Sequence, residues 1–225
     1  GSAINALMAN RGAPADYDEW AELGASGWDW AHCLPYFRAL GTDCDFTGPL
    51  HGTHGPLRVR RATADRLSPF VHGVVAALAR RGYPLRDDQN GPWEDGVFAG
   101  VIAVSETGER IPTSICYLDA AARARPNLTV HTDALVERVR FDGRRATGAE
   151  IRLADGTLMA PRARHVIVCA GAIHSPALLM RSGIGPADDL ARLGIEVIAA
   201  RAGVGGNLME HPSIAVSAFD GCSIR

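Results

Sequence analysis

The chain has 225 residues, of which 47% are apolar and 21% charged, with a formal net charge of −2. This apolar content supports a packed core and excludes a disordered chain, and no apolar run approaches the roughly 20 residues that a membrane-crossing helix requires. The near-neutral balance gives no reason to expect a nucleic-acid partner, because that recognition rests on a clustered basic surface.

The segment 1–27 is rich in Gly, Pro, Asp and Trp and reads as loop and turn with one short helix around Asp16–Leu23. Asp29 can cap a helix over Trp30–Leu40, with Pro35 expected to kink it or to mark a second start. A glycine-rich surface loop follows over 41–55 and ends in His51-Gly52-Thr53-His54-Gly55-Pro56. Ser68 as N-cap, Pro69 at the first helical position and apolar residues at Phe70, Val71, Val74, Val75 and Leu78 define an amphipathic helix that stops at Gly82. Residues 83–96 form a long loop of the kind that borders sites. Val97–Val104 reads as a strand and Thr113–Ala124 as a helix.

From Asn127 the apolar period changes to two. Leu128–Thr132, Leu135–Phe141, Ala146–Leu153 and Thr157–Ala160 are expected strands, joined by turns at Asp142-Gly143 and Asp155-Gly156 into an antiparallel meander. His165–Gly171 is apolar without alternation, the pattern of a parallel strand covered on both faces. Ser175-Pro176 then starts a helix that stops at Ser182-Gly183. Ala187–Leu193 is a further helix and Ile195–Ala199 a further buried strand.

The 23 basic residues are all Arg, a composition bias from which no function follows. The five cysteines, at 33, 44, 116, 169 and 222, include no Cys-x-x-Cys pair, so neither a disulfide framework nor a zinc site is implied. A reducing compartment fits this usage, and the expected location is cytoplasmic, with peripheral membrane attachment left open. His51 and His54 stand in glycine-rich surroundings that favour a turn over a metal pair. Asp87, Asp88, Glu94 and Asp95 read as solvated loop charges, and Trp28 and Trp30 as packing residues.

The strand-to-helix turn at 169–176 is the strongest physical pointer to a ligand. In open α/β sheets ligands lie at the carboxyl ends of parallel strands, and Gly171 and Ala172 permit close approach. No Gly-x-Gly-x-x-Gly follows this strand, so an NAD-type pyrophosphate cradle is not indicated there.

The run Gly171-Ala172-Ile173-His174-Ser175-Pro176-Ala177-Leu178-Leu179-Met180-Arg181-Ser182-Gly183-Ile184-Gly185-Pro186 resembles the second signature of the glucose–methanol–choline (GMC) oxidoreductases. Gly1-Ser2-Ala3-Ile4-Asn5 with Arg11-Gly12-Ala13-Pro14-Ala15-Asp16-Tyr17-Asp18 and Trp20 resembles the later part of the first signature. The likeness continues through His51-Gly52 with Gly55-Pro56-Leu57, Arg125-Pro126-Asn127-Leu128, and Gly205-Gly206-Asn207-Leu208 with His211-Pro212.

This resemblance implies an α/β flavoprotein. A Rossmann-like three-layer FAD-binding domain with a β-meander would be drawn from 1–65 and 107–212. Part of an α+β substrate domain would come from 66–106 and from 213 onward. It implies FAD as cofactor, contacted by Ser2, Asn5, Ala6, Met8, Val136, Ala170 and Gly171. Val136 occupies the place where the family's main chain pairs with adenine, and Met8 turns its backbone to the cofactor. The implied reaction is oxidation of a small-molecule alcohol by hydride transfer to flavin N5, with oxygen or a quinone as the electron acceptor.

The family's opening Gly-x-Gly-x-x-Gly unit and its C-terminal catalytic His region have no counterpart in these residues. The chain is therefore expected to be an internal piece, inactive alone and with no catalytic residue of its own, and an uncovered strand edge at 165–170 is expected to promote aggregation. His211 stands in the family's Asn-Leu-x-x-His-Pro motif, where it could approach the flavin edge or simply close a turn. Ser213 stands where choline-type members carry a carboxylate, which favours a neutral primary or secondary alcohol over choline. Two other readings stay open: a flavin-containing hydroxynitrile lyase of the same family, and a non-catalytic remnant.

Overall fold

The computed structural model describes residues 2–61 and 67–209. They belong to two compact units, 2–128 and 129–209. His211 and Ser213 lie outside the described residues.

The first unit opens with two helices, α1 (Pro14–Glu22) and α2 (Trp30–Leu40). Pro14 starts α1 where no N–H is needed, and the Asp16 carboxylate accepts the Ala13 N–H at 3.0 Å. Asp29 caps α2 as expected, its Oδ1 accepting from the His32 amide at 3.1 Å. Pro35 is accommodated within α2 without dividing it. Tyr17 joins the two helices through Trp30 and Phe37, with ring centroids 5.5 and 5.6 Å away, and Trp28 packs edge-on to Trp20 at 6.3 Å. Trp28 and Trp30 are thus packing residues, each such pair adding about 0.5–1.5 kcal/mol beyond area burial.

A three-stranded sheet follows, in which β1 (Gly41–Asp43) pairs in parallel with β2 (Leu57–Arg61). Its third strand is β5 (Val101–Ile102), antiparallel to β2. Val59, Val101 and Ala103 form the core against Leu7. The loop between β1 and β2 lies hard against the end of α2. A β-carbon on Gly52 would enter the Arg38 and Gly41 carbonyl oxygens, and one on Gly55 would enter the Leu40–Gly41 peptide.

The helix α3 (Pro69–Ala79) is capped by Ser68, whose Oγ accepts from the Val71 amide at 3.3 Å. Gly82 follows at φ 92°, the left-handed stop the sequence indicates. The expected strand 97–104 divides into β4 (Val97–Phe98), parallel to β3 (Leu85–Arg86), and β5. The expected helix 113–124 likewise divides into α4 (Thr113–Tyr117) and α5 (Ala120–Arg123). Asp119 restarts the helix by accepting the Ala122 amide at 2.7 Å.

The second unit contains the expected meander, β6 (Ala134–Asp142), β7 (Arg145–Leu153) and β8 (Leu158–Met159), all antiparallel. Gly143, at φ 54°, turns the first hairpin. The expected strand at 128–132 does not form.

The helix α6 (Gly171–Arg181) begins before the expected Ser175-Pro176 start, so Pro176 falls inside it. Ser175 instead reaches back, its Oγ accepting the Ala170 N–H at 3.1 Å. After α6 come β9 (Ile184–Gly185), α7 (Ala187–Arg192) and β10 (Ala199–Ala200), with β9 and β10 parallel. The strand expected at 195–199 is therefore displaced to its end. The core of this unit is Leu190, fully buried, with Leu178 and Val139.

The segment 165–169 departs from expectation. No strand pairs with it among the described residues, and Ile167 is 85% exposed. Val166 and Val168 are half-covered while His165, Ile167 and Cys169 are open, so one side alone is packed. A parallel strand forms only when neighbouring strands supply donors and acceptors along its edges, and apolar content cannot replace them.

Candidate functional site

The first unit holds a cavity of about 240 Å³, lined by Ser2, Met8, Arg11, Phe37, Asn90 and Thr113 among others. Its position follows from the way the segment 7–11 is held. Met8 bridges to Ile102, the Leu7 carbonyl accepts from the Ala103 amide at 3.0 Å, and the Ala9 amide donates to the Val101 carbonyl at 2.8 Å. Leu7 takes φ 61°, a left-handed conformation that costs an L residue roughly 1–2 kcal/mol. Burial of its side chain and the bond to Ala103 hold it there.

Where that pairing ends, the Asn90 amide takes over. Its Nδ2 donates to the Ala9 carbonyl at 3.1 Å and its Oδ1 accepts the Arg11 amide at 3.0 Å. Asn90 is 6% exposed.

Behind Asn90 stands a buried charge cluster. The Asp88 Oδ1 accepts the Asn90 backbone N–H at 3.0 Å and also an N–H of Arg61 Nη2. His51, 5% exposed, joins the cluster to β1 through its two ring nitrogens: Nε2 lies 3.0 Å from Asp88 Oδ2 and Nδ1 2.9 Å from Asp43 Oδ2. Arg61 grips Asp43 with two N–H···O bonds of 2.8 Å, and its guanidinium lies 4.6 Å from the Phe46 ring centroid.

Burial, the largest influence, raises the Asp43 pKa. Hydrogen bonds from Arg61 and from the Asp45 and Phe46 amides outweigh it and hold the carboxyl below the ordinary carboxylate range. For Arg61, burial works downward, but Asp43 and Asp88 outweigh it and push the guanidinium up. Burial moves the nearby Arg11 the other way, down, despite the same two carboxylates.

Asp43, His51 and Asp88 lie close enough for their donor atoms to meet one ion. Both His51 nitrogens instead face carboxylates, and Arg61 bridges those carboxylates, so each candidate ligand atom already has a polar neighbour within the cluster. The expectation that Asp88 is a solvated loop charge is thus corrected, because its carboxylate is enclosed by His51, Arg61 and Asn90. His51 likewise does more than shape a turn. Sequence distance hid these residues: 43, 51, 61, 88 and 90 come from two strands and two loops.

Of the residues expected at the cofactor, Ser2 and Met8 line one cavity. Ser2 Oγ lies 2.9 Å from Thr113 Oγ1 and accepts the Thr113 amide at 3.2 Å. Asn5 and Ala6 lie on the exposed stretch between them, where the Asn5 carbonyl accepts from Arg110 Nη1 at 2.7 Å.

In the second unit, a β-bulge between Val136 and Arg138 leaves the carbonyls of Val136 and Glu137 directed at Arg181, the last residue of α6, at 3.5 and 3.0 Å. Ala170 and Gly171 sit at the other end of that helix. Gly171 has φ 82°, and nothing lies within 4 Å of where its β-carbon would be. Among the described residues no helix is long and apolar enough to cross a membrane.

A sequence profile described as GMC oxidoreductase matches residues 1–213. The chain is 45% identical over 219 residues to a 5-(hydroxymethyl)furfural oxidase from Methylovorus sp. (strain MP688), a match that covers 97% of this chain and 41% of that protein. It is 43% identical over 213 residues to an oxygen-dependent choline dehydrogenase from Yersinia pseudotuberculosis, covering 93% of this chain and 37% of that one. Among solved structures, a pyridoxine 4-oxidase from Mesorbium loti superposes with a TM-score of 0.82 at 32% identity over 88% of this chain and 39% of that one. The chain thus spans about two fifths of the length of these relatives. With both signature stretches matched in order and the same mixed α/β fold, the chain belongs to the GMC oxidoreductase family.

Proposed function

We propose that the whole protein is an FAD-dependent oxidoreductase acting on the CH–OH group of a small neutral alcohol, with oxygen or a quinone taking the electrons. Relatives named as a 5-(hydroxymethyl)furfural oxidase and as an oxygen-dependent choline dehydrogenase support an alcohol as the substrate, and the first of them a neutral one. The observation that carries it is the turn at 169–171, exposed and left-handed at Gly171, with open space where any other residue would place a side chain. FAD, when bound, supplies the hydride acceptor.

Ser2, Asn5, Ala6, Met8, Val136, Ala170 and Gly171 would hold the cofactor. The Val136 carbonyl is tied to Arg181, the last residue of α6, while Gly171 begins that helix, a spread that suits an extended dinucleotide better than a compact ligand. Ser213, in place of a carboxylate, favours an uncharged substrate over a trimethylammonium alcohol.

The test is anaerobic addition of 5-(hydroxymethyl)furfural, and separately of choline, to the whole protein purified with its flavin. Bleaching of the oxidised flavin band by the neutral alcohol supports the reading. Cyanide release from a cyanohydrin without bleaching by any alcohol replaces it with a lyase.

A further inference from the structure

We propose that Asn90 is a positioning residue that sets the Met8–Arg11 wall of the cavity, with the Asp88–His51–Asp43–Arg61 cluster as its anchor. The carboxamide acts as a surrogate peptide. It donates to Ala9 and accepts from Arg11, two backbone groups that lie beyond the end of the pairing with 101–103.

A lone asparagine on a loop would hold this segment loosely. Asn90 is instead fixed at its own backbone by Asp88, whose other contacts are a buried imidazole and a buried guanidinium that both also bind Asp43. The chain of contacts therefore runs from Asp43 on β1 through His51 and Arg61 to Asp88 in the loop at 88–90, and from there to the main chain on either side of Asn10. Charge-assisted bonds in a dry setting give such a chain its stiffness. The functional part of this inference rests on the reading that Met8 faces the flavin.

Two measurements separate the tie from its purpose. By amide hydrogen exchange on the full chain, Asn90→Ala is expected to speed exchange at the Arg11 amide at least tenfold while leaving the Ala9 amide, which is held by Val101, within twofold. An unchanged Arg11 amide overturns the proposal.

In the whole protein, Asn90→Ala is expected to raise the FAD dissociation constant about tenfold. Asn90→Asp, which keeps the volume but sets an acceptor against the Ala9 carbonyl, is expected to do the same. Ala122→Gly, a destabilised control on α5 that does not line the cavity, is expected to leave flavin affinity within twofold at a temperature where it is folded. Flavin affinity unchanged in both Asn90 variants, or lost equally in Ala122→Gly, overturns the positioning role. A wild-type protein that binds no flavin overturns the cofactor reading and this role with it, while the exchange result still decides whether the tie exists.

Discussion

Arg61 and Asp43 face each other through two parallel hydrogen bonds of 2.8 Å, with both side chains almost wholly buried. Removing one member of such a pair leaves the other charged in a medium that solvates it poorly. Arg61→Leu is expected to cost about 3–5 kcal/mol in urea unfolding, because Asp43 and Asp88 lose their shared counter-ion.

The same pair gives stability a pH dependence whose sign is fixed. The folded-state pKa of Asp43 lies below its unfolded value, so its contribution is fully present above the ordinary carboxylate range and is lost as pH falls through the folded value. Urea midpoints measured from pH 6 downward should fall for the native sequence. They should fall less steeply for Asp43→Asn, which begins from a lower midpoint.

Ser182 joins α6 to the meander. Its Oγ accepts the Val139 amide at 2.8 Å and donates to the Leu178 carbonyl at 2.6 Å, out of contact with water. Ser182→Ala strands the Val139 N–H, an expected loss of about 1–3 kcal/mol by thermal or urea denaturation.

Gly52 tests whether the His-Gly-x-x-Gly loop is a close-packed joint. Its φ is not left-handed, so any effect of Gly52→Ala comes from contact with the Arg38 and Gly41 carbonyls. The main chain must move to admit the methyl group, and the expected outcome is a lowered unfolding midpoint with changed amide shifts at residues 38–41.

Gly171 presents the opposite case. A Gly171→Ala methyl group meets open space but must adopt φ 82°, at a cost of roughly 1–2 kcal/mol. Flavin affinity in the whole protein is expected to fall by more than that strain accounts for if the cofactor lies against this turn. Equal losses in stability and affinity would place it elsewhere.

Local chemistry made much of this chain legible. The caps at Asp29 and Ser68, the left-handed stop at Gly82 and the hairpin at Gly143 appear where the sequence indicates them, because each depends on residues within a few positions. The meander strands β6 and β7 follow for the same reason, as period-two alternation and a tight turn are neighbouring features.

Tertiary structure decided the rest. The apolar run at 165–169 carries a parallel-strand pattern yet has no paired edge among the described residues, since a strand's hydrogen bonds come from distant chain. Asp88 reads as a loop charge by itself and becomes part of a dry ion cluster only when β1, β2 and the 51 and 88 loops converge. Asn90 has no sequence signal at all, because a side-chain amide that replaces a peptide partner is recognised only once the backbone it completes is in place. The sequence by itself determined the family, the caps and turns and the meander. Folding alone determined which charges lose water, because desolvation depends on neighbours far apart in the chain.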